Sequence, residues 1–508
     1  MDIDVDRLLF RRQFVLTTKS PVNLNGWHSI KISNRLTLYV HPDLPLAQTK
    51  CNEKTLLLLG NILDPHNPKF SNQQILEELA KGLGGFDELV SATDEYGGRW
   101  ALIFCAGSSI KIFHDACGLR QIYYIAQGDS VWCGSQPEIL RHLNPEIGVD
   151  PDALEVTQSP NYAREENAWV GNKTIYNGIR HLLPNHCLNL KDGSVRRYWP
   201  LSPIQKTPVT REHIEILCRY ISGSLEAAAN RFGLMIPVTA GWDSRVLLAA
   251  SKSVSKDVFY YISTGNSMPA DHQDITVPAR LLKKLGLAFN IVDPDPEQDS
   301  RYIQLYLNNV TAARNLPKSV TIHHMFKHCQ GKVNISGNGA EIARSFFRSH
   351  AKDQQDVRAD NLAAFLGYPD VEYVVNELAS WLTECAPICS QCGLEVLDLL
   401  YWEQRMGNWG SMYQSEQDIA IEEIWPFNNR ALLAKMLSVD VTYRIAPQYK
   451  LFKMLMARMW PAVLSEPINP AFHVSAVRRL RSAIGRRIPI VRSLYRLIRN
   501  RVAGTSSS

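Results

Sequence analysis

The chain has 508 residues, of which 45% are hydrophobic and 21% are charged, and its formal net charge is +5. This composition excludes a disordered chain, a collagen-like chain and a disulfide-dense miniprotein. The length predicts two or three domains. No apolar stretch reaches the ~18 residues that a membrane-spanning helix needs, so no such helix is expected.

The positive charge is concentrated near the C-terminal end. Nine arginines and no acidic residue lie between Ala476 and Val502, and subtracting these nine from the net +5 leaves −4 for the rest of the chain. A mildly acidic body with a basic tail does not predict a nucleic-acid-binding protein. The wide spacing of the ten cysteines and an acidic N-terminus that is unlike a signal peptide predict a cytoplasmic protein.

Residues 1–150 are predicted to form a β-rich domain. Turn signals separate short apolar or alternating runs, which predict strands over 36–40, 55–59, 100–104, 110–114, 122–125 and 131–133. Two helices are expected over 73–82 and 137–143. Residues 151–210 are predicted to be a connector with some strand.

From about residue 211 the period of the pattern changes. Helices are predicted over 212–230, 242–251 and 274–285, and strands over 234–239, 258–263, 288–292 and 332–336. Strands that alternate with helices predict a doubly wound parallel sheet. After about residue 353 the pattern is nearly all helical, so residues 211–470 are expected to form an α/β domain with a helical extension.

One segment of this domain has the composition of an anion-binding loop. It reads Thr239-Ala240-Gly241-Trp242-Asp243-Ser244, and it follows a predicted strand and opens a predicted helix. Small residues let the backbone approach a ligand, and the N–H groups of such a turn attract anions. The two hydroxyls add donors, and the Asp243 carboxylate suits a divalent cation bound to phosphate oxygens. The alternative is an ordinary helix N-cap.

A second loop follows the strand predicted over 332–336. It reads Ser336-Gly337-Asn338-Gly339-Ala340-Glu341. Glycines at the carboxyl end of a strand are typical of the ligand crevice of an open α/β sheet. Glu341 is therefore predicted to share a cation with Asp243. The alternative is a plain glycine-rich turn between a strand and a helix.

The first loop resembles the pyrophosphate loop of N-type ATP pyrophosphatases, and the two loops together resemble those of the asparagine synthetase family. Further landmarks of that family occur in the expected order over most of the chain. These are the motifs at 97–100, 115–120, 123–124, 135–137, 183–185 and 198–199, then Asp418, Glu422 and 426–430. The last fifty or so residues have no counterpart.

The resemblance implies a fold and a set of ligands. It implies an N-terminal αββα sandwich like that of Ntn hydrolases, followed by a parallel sheet like that of adenine-nucleotide α-hydrolases. It also implies ATP and Mg²⁺ as cofactors, with the metal on Asp243 and Glu341. The implied nucleotide-binding residues are Val238, Thr239, Ala240, Gly241, Asp243, Ser244, Ile262, Ser263, Ser336 and Gly337.

The chain also departs from the family pattern. The glutaminase-type domain of this family uses an N-terminal cysteine, whereas Asp2 is the second residue here and the first cysteine is Cys51. We therefore expect no glutamine hydrolysis. Asn338 stands where the second loop of the family has Glu. Asn469 stands near the place of a lysine that stabilises charge in the family, and Lys450 or Lys453 would have to substitute for it.

The sequence therefore predicts an AMP-forming ligase that adenylates a carboxylate and joins it to an amine or ammonia. Asp243, Ser244, Glu341 and Lys450 are the predicted catalytic residues. The carboxylate substrate is expected to be a small molecule, a sugar acid or a peptide. One alternative is a lasso-peptide or lactam-type cyclase. Another is a non-catalytic scaffold or regulator in a surface-polysaccharide or natural-product pathway.

The basic tail, residues 471–508, carries apolar residues at three- and four-residue steps between its arginines. This pattern predicts a basic amphipathic helix that contacts an anionic membrane surface, here the inner membrane, or an acidic partner. The alternative is a docking helix whose arginines are merely solvated.

Overall fold

A computed structural model describes residues 4–19, 24–127, 130–265, 268–310, 316–350 and 357–470. Residues up to Ile468 form one compact unit, and a second unit begins at Asn469. The prediction for the basic tail lies outside the described residues. Among the described helices, none is both long and apolar enough to cross a membrane.

Two six-stranded antiparallel sheets form the N-terminal part. In spatial order the first sheet contains β10 (Arg180–His181), β8 (Tyr123–Gln127), β9 (Ser130–Gly134), β1 (Phe14–Thr17), β3 (Thr37–Val40) and β2 (His28–Lys31). The second sheet contains β12 (Val195–Arg197), β11 (His186–Asn189), β7 (Ser109–His114), β6 (Gly97–Ala106), β5 (Lys54–Leu63) and β4 (Leu46–Cys51).

The two sheets pack face to face and helices cover their outer sides. Alternate residues of both sheets, such as Leu16, Leu38, Leu57 and Ile103, form the core between them. Helices α2 (Asn72–Ala80) and α3 (Phe86–Thr93) cover the second sheet, and α4 (Pro137–Leu143) covers the first. The layers are therefore helix, sheet, sheet and helix, because each sheet has two apolar faces to bury.

The segment predicted as a connector contributes strands to both sheets. β10 pairs with β8 in the first sheet, and β11 pairs with β7 in the second. Residues 180–197 thus belong to the sandwich, although they lie beyond residue 150. Short helices α1 (Val5–Leu8), α5 (Leu154–Gln158) and α6 (Pro160–Arg164) complete this part of the chain.

A five-stranded parallel sheet forms the centre of the C-terminal part. In spatial order it contains β15 (Asn290–Val292), β14 (Phe259–Ser263), β13 (Gly233–Pro237), β16 (Lys332–Ile335) and β17 (Glu422–Ile424). All four pairings are parallel. Among the described residues after 353, which are otherwise helical as predicted, β17 is the one strand. It has three residues, all buried, and is too short to show a strand pattern.

Helices bury both faces of this sheet. The described helices of the C-terminal part are α7 (Arg211–Ala229), α8 (Trp242–Ala250), α9 (Gln273–Lys284), α10 (Ser300–Asn309), α11 (Leu316–His328), α12 (Ala340–Ala343), α13 (Phe346–His350), α14 (Ala359–Phe365), α15 (Glu372–Cys392), α16 (Val396–Leu400), α17 (Ser411–Gln417), α18 (Arg430–Leu437), α19 (Val441–Arg444) and α20 (Lys450–Met459). A π-helix spans Tyr401–Gly410, and 3₁₀ turns span Lys252–Val254 and Pro461–Ser465. Along β13, Leu234 and Ile236 pack into the hydrophobic core on one face of the sheet, and Met235 packs into the core on the opposite face. This alternation is expected of a central strand that is buried on both faces.

A buried group of charges joins the sandwich to the parallel sheet. Arg99 of β6 donates two hydrogen bonds to the Asp418 carboxylate, at 2.6 and 2.8 Å. Arg120 donates to Glu422 of β17 at 2.7 Å, and Arg12 lies 3.7 Å from the other oxygen of that carboxylate. All five side chains are largely or fully buried. Removal of one partner would therefore leave an uncompensated charge in an apolar environment.

We expect Asp418→Asn to lower the free energy of unfolding by about 3–5 kcal/mol, because Arg99 would lose a buried bidentate partner. Urea unfolding followed by circular dichroism measures the change. Asp360→Asn is the matched control, because its pair with Arg358 lies at the surface. That substitution should cost less than about 1 kcal/mol. Equal losses in the two variants would show that the buried pair does not hold the junction.

Candidate active site

The two predicted loops lie side by side at the carboxyl edge of the parallel sheet. β13 leads into residues 238–241, and the neighbouring strand β16 leads into residues 336–339. The chain continues outward from β13 to β14 and β15 on one side, and to β16 and β17 on the other. The strand order thus reverses between β13 and β16. Ligands of open α/β sheets bind in the crevice at such a point.

The loops touch at Gly337. A Cβ atom added at this position would lie 2.9 Å from both the carbonyl carbon and the Cβ of Asp243. The close contact is with backbone and with the first side-chain carbon, so no flexible side chain can move away. A glycine at position 337 is therefore required for the two loops to come this close. The contact fixes the position of the second loop relative to Asp243.

Hydrogen bonds within the first loop fix its shape. The Ser244 hydroxyl accepts from the Thr239 amide at 3.2 Å and lies 2.9 Å from the Thr239 hydroxyl. The Thr239 hydroxyl accepts from the Gly241 amide at 3.1 Å. Thr239 and Ser244 thus organise the turn, and α8 begins directly after it at Trp242, which brings the positive end of its dipole to the loop.

The amide of Ala240 already binds an anionic oxygen. It donates to a carboxylate oxygen of Asp274 at 2.9 Å. Asp274 lies in the first turn of α9, which follows β14. A carboxylate of the chain itself therefore occupies a position where a loop of this kind attracts phosphate oxygens. Asp274 was not among the predicted site residues, although its place at the start of a predicted helix after a predicted strand was visible in the sequence.

The two predicted metal ligands meet at a third residue, Arg344. The Arg344 guanidinium lies 2.7 Å from Asp243 and 3.8 Å from Glu341. Asp243 Oδ1 and Glu341 Oε2 are buried and have no hydrogen-bond partner. The carboxylate side chains are 21% and 14% exposed, so the group opens slightly to solvent.

Burial and charge alter the protonation of this group. Burial raises the pKa of Asp243, and Arg344 opposes the rise. Burial and the neighbouring Asp243 together raise the pKa of Glu341 to about 7. Two buried carboxylates that share one cation cannot both ionise freely, which is why the second holds its proton more strongly.

The carboxylate pair suits a magnesium ion. Each carboxylate keeps one buried oxygen without a partner. Magnesium commonly binds one or two protein carboxylates and takes its other ligands from phosphates and water. Within the described ranges no group of three or more His, Cys, Asp or Glu side chains forms a metal cluster. Asp243 and Glu341 would thus hold the ion together with a bound phosphate.

Four other predicted nucleotide-binding residues make contacts within the parallel sheet or close to it. Val238 is fully buried, and its amide donates to Tyr261 within the sheet. Ile262 is a buried residue of β14. Ser263 ends that strand and its hydroxyl lies 3.0 Å from the Thr321 hydroxyl. Ser336 donates its amide to Ile424 of β17.

The predicted catalytic lysine contacts an aromatic ring. Lys450 begins α20, and its ammonium lies over the ring of Tyr443 at 5.6 Å. Lys453, one turn further on, lies 5.7 Å from the ring of Trp242. Of the two, Lys453 thus contacts a residue of the first loop. Tyr449, which precedes α20, also contacts the site, because its ring packs on Trp242 and its hydroxyl is 3.4 Å from Arg344.

Comparison with known proteins gives little further guidance. No protein-family model matches the chain, and no curated protein matches it. Among solved structures, it is similar to glutamine phosphoribosylpyrophosphate amidotransferase from B. subtilis complexed with ADP and GMP, with 11% identity and a TM-score of 0.25. That match covers 56% of this chain and 86% of the other.

A second similar structure is described as the allosteric regulatory enzyme of purine biosynthesis. It has 12% identity and a TM-score of 0.24, and the match covers 60% of this chain and 74% of the other. Both likenesses are too slight to indicate an activity for this chain.

We expect Gly337→Ala to disturb the site, because the added methyl group would collide with the backbone of Asp243. The variant should lose about 1–3 kcal/mol of stability, as overpacking does. Gly233→Ala is the matched control in the same sheet, since its Cβ would meet its nearest atom at an ordinary 3.8 Å. Thermal unfolding measures both variants. If the two variants have the same melting temperature, the two loops are not in close contact.

Proposed function

We propose that this chain binds ATP with a divalent cation at the two loops and adenylates a substrate carboxylate. The observation that carries the proposal is the meeting of Asp243 and Glu341 at the point where the strand order reverses. The fixed turn at Thr239–Ser244 and the positive end of α8 add a place for phosphate oxygens. Bound magnesium would supply charge neutralisation for the phosphates.

The proposed reaction has two steps. A substrate carboxylate oxygen attacks the α-phosphorus of ATP, and the bond to the β-phosphate oxygen breaks, which releases pyrophosphate. An amine or ammonia nitrogen then attacks the acyl carbon, loses a proton to solvent, and displaces AMP. The residues of the chain hold the phosphates in place, orient the carboxylate for attack and exclude water, which together account for much of the catalysis in reactions of this type.

Nucleotide binding should raise the melting temperature of the wild type, since a ligand that binds only the folded state stabilises it. We expect Asp243→Asn to lose most of this shift with ATP and Mg²⁺. Asp257→Asn is the control, because Asp257 is exposed and precedes β14, at the opposite edge of the sheet. Equal shifts in both variants would remove Asp243 from the nucleotide site.

The AMP-forming step has its own test. In the presence of a suitable carboxylate, labelled pyrophosphate should enter ATP, because attack at the α-phosphorus is reversible before the acyl-adenylate is captured. Sugar acids, amino acids and peptides are the candidate carboxylates. Formation of ADP and phosphate in place of AMP and pyrophosphate would contradict adenylation while leaving nucleotide binding intact.

A second candidate is a non-catalytic protein that retains the fold. The observation in its favour is the internal pairing of the site, in which Arg344 binds Asp243 and Asp274 binds the Ala240 amide. A protein of this kind would give no melting shift with ATP and no exchange of pyrophosphate. A lasso-peptide or lactam-type cyclase remains a form of the first candidate, in which the amine lies on the acceptor itself.

A further inference from the structure

Arg344 is the one cation that contacts both proposed metal ligands among the described residues. Its guanidinium binds Asp243 at 2.7 Å and approaches Glu341 at 3.8 Å. One positive charge thus faces two carboxylates, and each carboxylate keeps a buried oxygen without a partner. A cation that replaced Arg344 could therefore bind oxygens of both carboxylates.

In the described part of the chain, the guanidinium also contacts two aromatic residues, Phe346 and Tyr449. Its Nε atom is buried without a hydrogen-bond partner, and its Nη1 atom lies 3.4 Å from the Tyr449 hydroxyl. The guanidinium also lies 5.4 Å from the ring centres of Phe346 and Tyr449. Such cation–π contacts attract the guanidinium without fixing it through hydrogen bonds.

A nucleotide would offer Arg344 a stronger partner. Guanidinium groups bind phosphate oxygens through two parallel hydrogen bonds, and a triphosphate carries more negative charge than Asp243. A divalent cation and Arg344 repel each other, so a cation on the carboxylate pair weakens the binding of Arg344 there. Departure of Arg344 to the phosphates would free both carboxylates for the metal.

We propose that Arg344 is an exchangeable counter-ion that makes cation binding depend on nucleotide binding. Without nucleotide it neutralises Asp243 and Glu341 and keeps divalent cations out. With nucleotide it transfers to phosphate oxygens, and the cation takes its place on the carboxylates. The inference rests on the proposed function, because it assumes that the nucleotide binds at these loops. By thermodynamic linkage, the cation must tighten the nucleotide as much as the nucleotide tightens the cation.

Binding of Mn²⁺, followed by electron paramagnetic resonance of the free ion, tests this directly. In the wild type, ATP should tighten Mn²⁺ binding at the protein by about ten-fold or more beyond the binding of Mn²⁺ to ATP alone. In Arg344→Gln, Mn²⁺ without nucleotide should bind about ten-fold more tightly than in the wild type, and most of the coupling to ATP should vanish.

Two further variants serve as controls. Arg348→Gln removes another arginine of the same region, which pairs with Glu395 at 3.0 Å, and should behave as the wild type. Arg344→Lys keeps the charge, so nucleotide-free Mn²⁺ binding should stay weak. Circular dichroism reports whether each variant folds.

Equal Mn²⁺ affinity of wild type and Arg344→Gln without nucleotide would overturn the proposal. If Arg344→Gln does not fold, an absence of coupling between ATP and Mn²⁺ in the wild type overturns it instead. A failure of the proposed function has a different signature. The wild type would then bind no ATP, while Arg344→Gln would still gain Mn²⁺ affinity.

Discussion

The contact between Gly337 and Asp243 is the constraint on which the candidate site depends. Parallel strands β13 and β16 are neighbours, so the loops that follow them emerge at the same edge. Only a residue without a side chain lets the second loop come so near the first. This contact places Asp243 next to the second loop and the short helix α12, which bring Glu341 and Arg344 to the site. The carboxylates and the guanidinium can therefore act as one electrostatic unit.

The sandwich supports this arrangement through the edge of the parallel sheet. Arg120 binds Glu422 at the first residue of β17, and Ile424 at its last residue accepts a hydrogen bond from the amide of Ser336. A chain of direct contacts thus runs from the N-terminal sheets to the second loop. The N-terminal part therefore has a structural role in the candidate site, whether or not it has any chemistry of its own.

The charged groups of the site are only partly paired with one another. Two carboxylates, one guanidinium and a loop amide bound by Asp274 satisfy one another only in part. Buried polar groups without partners cost free energy, and they persist where a ligand completes them. The incomplete pairing supports a site that exchanges its internal partners for phosphate and metal when a nucleotide binds.

Much of this organisation was predictable from local sequence. The helix predicted over 137–143 has those bounds, and the strands before both loops were found within a few residues. Periodicity and glycine placement are local signals, so both loops could be identified. The pair between Arg344 and Asp243 could not, because it joins residues 101 positions apart. The places of β10, β11 and β12 in the sandwich could not be predicted either, because they depend on pairing with strands far away in the sequence. The strand β17 could not be predicted because its three residues are all buried and show no alternation.

Hydrogen–deuterium exchange of the wild type with and without ATP and Mg²⁺ is the most direct test of a nucleotide site built from both loops. The account predicts that residues 238–244 and 336–344 gain protection together, while the opposite edge of the sheet does not change. Protection confined to one loop, or found only outside both, would contradict it.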